Sequence, residues 1–191
     1  SGIGGGAFLV WYDAATGTVT TFDGRETAPR AATPALFLDP SGKPLPFFEA
    51  VVGGRSVGTP GALRLMQKVH GRYGKKPWAG LFSSAIDLAD KGFAVSPRLH
   101  DLIAEDTGRL DRQLAAHAYF YDAAGAPLAA GTVLRNPAYA GTLRRIAAEG
   151  AGAFYSGPIA GDIVAAVASH PTNPGLLSLE DLAAYEAKER P

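Results

Sequence analysis

The segment GAFLVWYDAATGTVTTFDGRETAP, residues 6–29, contains two short apolar runs followed by a charged turn. Both runs, at 6–13 and 18–23, are rich in the β-branched and aromatic residues that favour strands. Between them Gly17 can supply the positive φ that a tight turn needs. The segment therefore predicts an antiparallel β-hairpin. Arg25 follows directly, so the chain places a fixed cation at the exit of the second strand.

Composition limits the classes of partner. The chain has 191 residues, which suffices for one domain with a real core, and we expect residues 1–191 to form a single unit. Lys plus Arg and Asp plus Glu both number 18, which favours neither nucleic acid nor an anionic membrane as a partner. Without cysteine there is no disulfide and no thiol nucleophile. The apolar runs are too short for a membrane-spanning helix.

The rest of the chain is mainly helical in pattern. Residues 24–58 are rich in Pro and Gly, which predicts an extended loop with at most one strand. Further on, apolar residues recur at helical spacing, and a second small hairpin is predicted for 118–134. The helices are predicted to start at residues able to cap them, namely Thr59, Ser96, Asn136 and Ser178, the last in a capping box with Asp181. The fold class is α+β, mainly helical with one or two β-hairpins.

Few residues suggest chemistry on pattern alone. None of the four histidines has a ligand-type neighbour three or four positions along its helix, so neither a metal nor a cofactor is expected. The glycine-rich run 51–61 lacks the Lys-Ser or Lys-Thr of a phosphate-binding loop. Close backbone packing ahead of a helix explains these glycines better.

Arg25 allows two interpretations. A guanidinium held at a strand exit suits a carboxylate ligand, through two parallel hydrogen bonds worth about 1.5–3 kcal/mol when desolvated. Alternatively, Arg25 pairs with Glu26 or Asp23 on a solvated turn, worth about 0–1 kcal/mol. The residues by themselves leave both interpretations open.

Six blocks that follow one another along the chain form a recognisable set. They are SGIGGGAFLVWYD, DGRETAPRAAT, VGTPGALRLMQKVHGRYGKKPW, AIDLADKGFAVSPRL, AAEGAGAFYSGPIAGDIV and LSLEDLAAYEAKERP. In this order they resemble the large subunit of γ-glutamyltransferases. The resemblance covers essentially the whole sequence, and several of the blocks are specific.

The resemblance implies an N-terminal-nucleophile hydrolase whose precursor cuts itself into two subunits. The new N-terminal Thr of the small subunit would attack the γ-glutamyl amide of glutathione or a related compound and pass the acyl group to water, an amino acid or a peptide. By the same resemblance, Arg25 binds the substrate's α-carboxylate and Glu26 supports the substrate loop. No catalytic residue is expected within the chain, because Thr20 and Thr21 lie inside a predicted strand.

The resemblance also implies that this chain is an internal fragment of the large subunit. It would hold part of an αββα sandwich, would be inactive alone, and would pair with the small catalytic subunit of the same precursor. Apolar surface left uncovered would favour self-association. The resemblance implies a periplasmic or secreted location, with a cytoplasmic one left open.

Three alternatives remain open, of which the first is a close variant and the other two are not enzymes. One is a cephalosporin or glutaryl acylase of the same family, whose acyl group also ends in a carboxylate. Another is a truncated, non-catalytic module that binds a carboxylate ligand or a partner subunit. The third is a purely structural helical domain, against which the block DGRETAP argues only through the resemblance.

The coding sequence beyond Pro191 separates the catalytic from the non-catalytic interpretations. We expect it to continue into a chain that carries a Thr-Thr-His stretch, as a self-processing enzyme requires. Sequencing the gene checks this directly. A stop codon immediately after Pro191 would contradict the catalytic interpretation and favour a binding or vestigial role.

Overall fold

The computed structural model describes residues 2–106, 108–110 and 113–190. They form two compact units, one of Ser1–Leu81 with Arg145–Pro191 and one of Phe82–Arg144. The strands are β1 (Ala7–Asp13), β2 (Thr18–Gly24), β3 (Phe93–Ala94), β4 (Val133–Leu134) and β5 (Lys188–Arg190). The helices are α1 (Phe47–Val51), α2 (Ala62–Tyr73), α3 (Ser83–Lys91), α4 (Pro97–Glu105), α5 (Leu114–Phe120), α6 (Pro137–Glu149), α7 (Gly152–Tyr155), α8 (Gly157–Ala168) and α9 (Leu179–Ala183). The α+β class is confirmed, whereas the single unit stays a prediction.

The predicted first hairpin is confirmed. Strands β1 and β2 pair antiparallel from Ala7 opposite Gly24 to Asp13 opposite Thr18. Gly17 has a φ of 68° in the turn, a value that glycine adopts without strain. Strand β5 adds to the other edge of β2, which gives the sheet order β1-β2-β5. Helix α9 ends at its fifth residue, and the last described residues form β5, which pairs with β2.

One face of this sheet packs on α2. Phe22, Leu65, Val69 and Ala187 form the buried cluster, with Leu9, Trp11 and Tyr73 packed around it. The rings of Trp11 and Tyr73 stack with centroids 4.2 Å apart. The opposite face of the hairpin exposes a row of large apolar side chains. These residues, which we call the outer sheet face, are Phe8, Val10, Tyr12 and Val19.

The predicted start of α2, with Thr59 as its N-cap, was wrong by two residues. Thr59 does not cap the helix, because its backbone pairs with Thr27 in an isolated bridge and its side chain is buried. The helix begins at Ala62 instead. The carbonyl of Gly5 accepts hydrogen bonds from the N–H groups of Gly61 (3.0 Å) and Ala62 (2.9 Å), so a backbone oxygen satisfies the free donors at the helix start.

The second predicted hairpin, 118–134, was also wrong. Its first residues belong to α5, and a single bridge joins Tyr121 to Pro127 around a turn in which the carboxylate of Asp122 accepts two backbone N–H groups. Its last residues form β4, which pairs with β3 rather than with its own beginning. The alternation of apolar residues is real, but the partner strand lies some forty residues earlier in the chain.

The other local predictions were mostly right. The side chains of Ser96 and Asn136 accept the N–H of Leu99 and Tyr139, and Ser178 forms the predicted capping box with Asp181. Residues 24–58 are mostly irregular, but they include the unpredicted short helix α1. In the part of the chain that the structure describes, no helix is both long and apolar enough to cross a membrane.

Packing of α2 on the sheet predicts that two neighbouring residues contribute very differently to the free energy of unfolding. Leu65 is 2% exposed, so Leu65→Ala should lower the free energy of unfolding by about 2–5 kcal/mol. Met66 is 49% exposed, and Met66→Ala should change it by less than about 0.5 kcal/mol. Urea unfolding followed by circular dichroism measures both. Equal effects of the two substitutions would contradict this packing.

Candidate functional site

The backbone of Arg25 is held from two sides. Strand β2 ends at Gly24, and the N–H of Arg25 then donates to the carboxylate of Asp23 at 2.9 Å. On the other side, the hydroxyl of Tyr185 donates to the Arg25 carbonyl at 2.7 Å. Asp23 itself receives two hydrogen bonds from Arg190 on β5, at 2.9 and 2.8 Å. The predicted cation therefore sits on a fixed stretch of main chain.

The side chain of Arg25 is far less constrained than its backbone. It is 69% exposed, and its Nε lies 3.2 Å from Glu26 Oε2. Among the residues that the structure describes, no protein group binds the Nη1 or Nη2 atom of Arg25. The pair with Glu26 anticipated from the sequence is therefore present. It occupies one edge of the guanidinium and leaves the outer N–H groups available to a ligand.

Arg25 and Glu26 lie on an open cleft of about 470 Å³. The residues that line it are Gly4, Arg25, Glu26, Thr27, Ala28, Ser56, Val57 and Gly58. Its two walls are joined by hydrogen bonds between the backbones of Thr27 and Thr59, at 3.3 and 2.8 Å. A Cβ atom on Gly58 would lie 3.0 Å from the Thr27 carbonyl oxygen, so the walls approach closely because this residue has no side chain.

Asn173 braces the second wall of the cleft. It is 6% exposed, and its side-chain amide donates to the carbonyls of Glu49 (3.0 Å) and Val52 (2.6 Å). Its side-chain oxygen accepts Nε of Arg55, whose Nη1 donates to the Leu36 carbonyl at 2.7 Å. The segment leading to residues 56–58 is thus tied to the C-terminal part of the chain.

Asp181 binds the main chain at Arg30, five residues after Arg25. Its carboxylate is 7% exposed and accepts the Arg30 N–H at 3.0 Å, as well as the Ser178 hydroxyl at 2.7 Å and the Ser178 N–H at 3.0 Å. Burial by itself raises the pKa of Asp181. The hydrogen bonds from Arg30 and Ser178 outweigh it, so the net pKa lies below its ordinary value.

The ring of Tyr185 packs against a second buried tyrosine, Tyr155. The two rings stack with centroids 6.1 Å apart, and the Tyr155 hydroxyl donates to the Pro60 carbonyl at 2.9 Å. Burial raises the pKa of Tyr155 to about 12. Burial also raises the pKa of Tyr185, and the charges of Asp23 and Glu26 raise it further. The hydroxyl of Tyr185 therefore keeps the proton that it donates to Arg25.

Sequence reasoning found part of this site. It singled out Arg25 and Glu26, and the structure places both on the cleft. It also placed Thr20 and Thr21 in a strand, where the structure has them, with the Thr21 hydroxyl donating to the Arg190 carbonyl at 2.9 Å. It missed Tyr185, which acts on a residue 160 positions away and carries no local signal of that contact.

Comparison with known proteins defines the class of protein. Residues 1–191 match the family described as Gamma-glutamyltranspeptidase. A glutathione hydrolase proenzyme of Bacillus subtilis is 38% identical over 160 residues, which is 84% of this chain and 27% of that protein. The chain therefore belongs to the gamma-glutamyltranspeptidase family, and it spans about a third of the length of the curated relatives it matches.

Solved structures agree with this assignment. The Helicobacter pylori gamma-glutamyltranspeptidase superposes with a TM-score of 0.90 at 33% identity, over 98% of this chain and 52% of that one. The cephalosporin acylase of Bacillus halodurans gives a TM-score of 0.76 at 29% identity, over 98% of this chain and 34% of that one. The chain therefore has the fold of the corresponding part of these structures and covers only a portion of each.

The lowered pKa of Asp181 predicts an acid-dependent contribution to stability. Because its pKa is lower in the folded than in the unfolded protein, its ionised form stabilises the fold above the ordinary pKa of 3.8. This stabilisation is lost as the pH falls through the folded pKa. Asp181→Asn should therefore cost about 1–3 kcal/mol at pH 7 and much less in strong acid.

Urea unfolding at a series of pH values measures this difference. Asp162→Asn is the matched control, because Asp162 is exposed on α8, and its substitution should leave the pH profile unchanged. A loss of stability in Asp181→Asn that is the same at neutral and at acid pH would contradict the role given to the carboxylate.

Proposed function

We propose that this chain supplies the carboxylate-binding part of an enzyme that cleaves γ-glutamyl amides such as glutathione. In the whole protein, an N-terminal Thr freed by self-cleavage would form an acyl-enzyme, and the γ-glutamyl group would pass to water, an amino acid or a peptide. The observation that carries the proposal is Arg25, which lines an open cleft and whose Nη1 and Nη2 atoms bind no described protein group, while its backbone is held in place.

The geometry suits an α-carboxylate. The planar guanidinium can offer two parallel N–H groups from its free edge, while Glu26 keeps the Nε edge oriented. In this exposed setting such a contact is weak, because water competes for both charges. The contact would strengthen to about 1.5–3 kcal/mol if the rest of the protein covered the cleft and removed that water.

We further propose that the chain is inactive without the rest of the protein. The two threonines that follow one another, Thr20 and Thr21, are internal residues of β2 and have no free amine beside their hydroxyl groups. A nucleophile that uses its own α-amino group as base must be the first residue of a chain. The small subunit of the same precursor would supply that residue.

The small subunit is also the proposed partner for the outer sheet face. Phe8, Val10 and Tyr12 are 62–69% exposed, and a row of large apolar side chains on a strand is a common feature of protein interfaces. If this face is left uncovered, we expect it to cause self-association of the isolated chain.

A cephalosporin or glutaryl acylase is the second candidate, and the likeness to the Bacillus halodurans acylase supports it. Arg25 fits either activity, since both acyl groups end in a carboxylate. The two differ in the α-amino group, which a γ-glutamyl donor has and a glutaryl donor lacks. The ratio of kcat/KM for γ-glutamyl and glutaryl p-nitroanilide distinguishes them, and we expect it to favour the γ-glutamyl donor.

Substitution of Arg25 tests the proposed role in the full-length protein. Arg25→Ala should raise KM for γ-glutamyl p-nitroanilide roughly 10- to 100-fold, because it removes a contact present in both ground and transition states. Arg25→Lys should lie between the wild type and Arg25→Ala, since it keeps the charge but loses the planar fork. Steady-state kinetics of the cleaved protein gives these values.

Arg30→Ala is the matched control. Arg30 belongs to the same segment, its side chain is also 69% exposed, and its ion pair with Glu180 is long, at 4.0 Å. Its backbone N–H keeps the bond to Asp181 when the side chain is removed. Arg30→Ala should leave KM unchanged. The proposed role of Arg25 fails if Arg25→Ala and Arg30→Ala have the same KM as the wild type.

A further inference from the structure

The contact between Tyr185 and Arg25 joins the two ends of the chain at the candidate site. The tyrosine hydroxyl is the only group that binds the Arg25 carbonyl among the described residues, and the tyrosine is 6% exposed. On the opposite side of the same residue, Asp23 accepts the Arg25 N–H. The two bonds fix both peptide groups next to the Arg25 Cα atom. The side chain then starts from a defined point and direction.

Tyr185 is itself well supported. Leu182, three residues earlier, is fully buried, and α9 begins with the capping box of Ser178 and Asp181. The ring of Tyr185 lies nearly parallel to that of Tyr155, with 13° between their planes. A buried ring held between a capped helix and a second tyrosine has little freedom, so its hydroxyl can define the position of the group it binds.

The same hydroxyl lies in a closely packed part of the chain. A Cβ atom on Gly61 would overlap both the Tyr185 hydroxyl and the Gly24 carbonyl oxygen. The hydroxyl is therefore packed against the start of α2 as well as against the end of β2. A side chain on Gly61 would displace the hydroxyl from this position.

We infer that Tyr185 is a positioning residue for the carboxylate ligand of Arg25. Its hydroxyl fixes the Arg25 main chain and thereby sets where the guanidinium meets the ligand. Tyr185 does not touch the ligand and acts only through Arg25. This inference rests on the proposed function, because it assumes that Arg25 binds the α-carboxylate of a γ-glutamyl group.

Tyr185→Phe tests the inference in the full-length, cleaved protein, because it removes the hydroxyl and keeps the ring. The probe is γ-glutamyl p-nitroanilide. We expect KM to rise roughly three- to tenfold with kcat nearly unchanged, as for a weakened ground-state contact. KM does not depend on the fraction of active protein, so partial misfolding cannot imitate this result.

Tyr155→Phe is the matched control. It deletes a hydroxyl from the other ring of the stacked pair, and that hydroxyl binds the Pro60 carbonyl and the Arg64 N–H rather than Arg25. It should lower the thermal stability of the protein at least as much as Tyr185→Phe, yet leave KM within about twofold of the wild type. A purely structural role of Tyr185 would make the two variants alike in KM.

The double variant gives the decisive comparison. If Tyr185 acts through Arg25, then Tyr185→Phe should change KM by less than about twofold in the Arg25→Ala background. A rise in KM that persists in that background would overturn the inference. So would an unchanged KM in Tyr185→Phe alone while Arg25→Ala has a large effect. If Arg25→Ala itself leaves KM unchanged, the proposed function has failed, and the inference falls with it.

Discussion

The close approach of Gly24 to Gly61 is the constraint on which the rest of the structure depends. A Cβ atom on Gly24 would lie 2.5 Å from Leu65 Cβ and 3.1 Å from the Gly61 carbonyl oxygen. The end of β2, the start of α2 and the hydroxyl of Tyr185 therefore share a volume that has no space for another side chain. Arg25 comes one residue after this junction. Its position follows from the packing of the sheet on the helix.

This arrangement explains how an exposed cation can still be well placed. The main chain of Arg25 is bonded on both sides, by Asp23 and Tyr185, while its side chain is 69% exposed and the residue lines an open cleft. The cleft walls are tied to distant parts of the chain through Asn173 and Asp181. Rigid supports beneath a free side chain reduce the entropy lost when a ligand binds. The site thus combines a main chain that is held in place with accessible N–H donor groups.

Much of the fold and part of the site could be predicted because their causes are local. The first hairpin follows from two apolar runs and the turn at Gly17, and the caps at Ser96 and Asn136 act on N–H groups three residues away. The false hairpin at 118–134 has the right composition, yet its last residues pair with β3. Arg25 stood out through its place at the exit of a strand, but local physics left its solvated pairing with Glu26 open, and only the family resemblance favoured a substrate carboxylate.

The sequence by itself determined the first hairpin, the starts of several helices and the family to which the chain belongs. Periodicity, caps and turn residues act within a few positions of one another. The family motifs are continuous stretches of sequence, so they can be recognised without the structure. Only the tertiary structure decided which strand pairs with β2, what starts α2 and what holds Arg25. Those contacts join residues up to 169 positions apart, such as Thr21 with Arg190. A hydrogen bond across that separation leaves no periodic pattern, because its partners are brought together by packing alone.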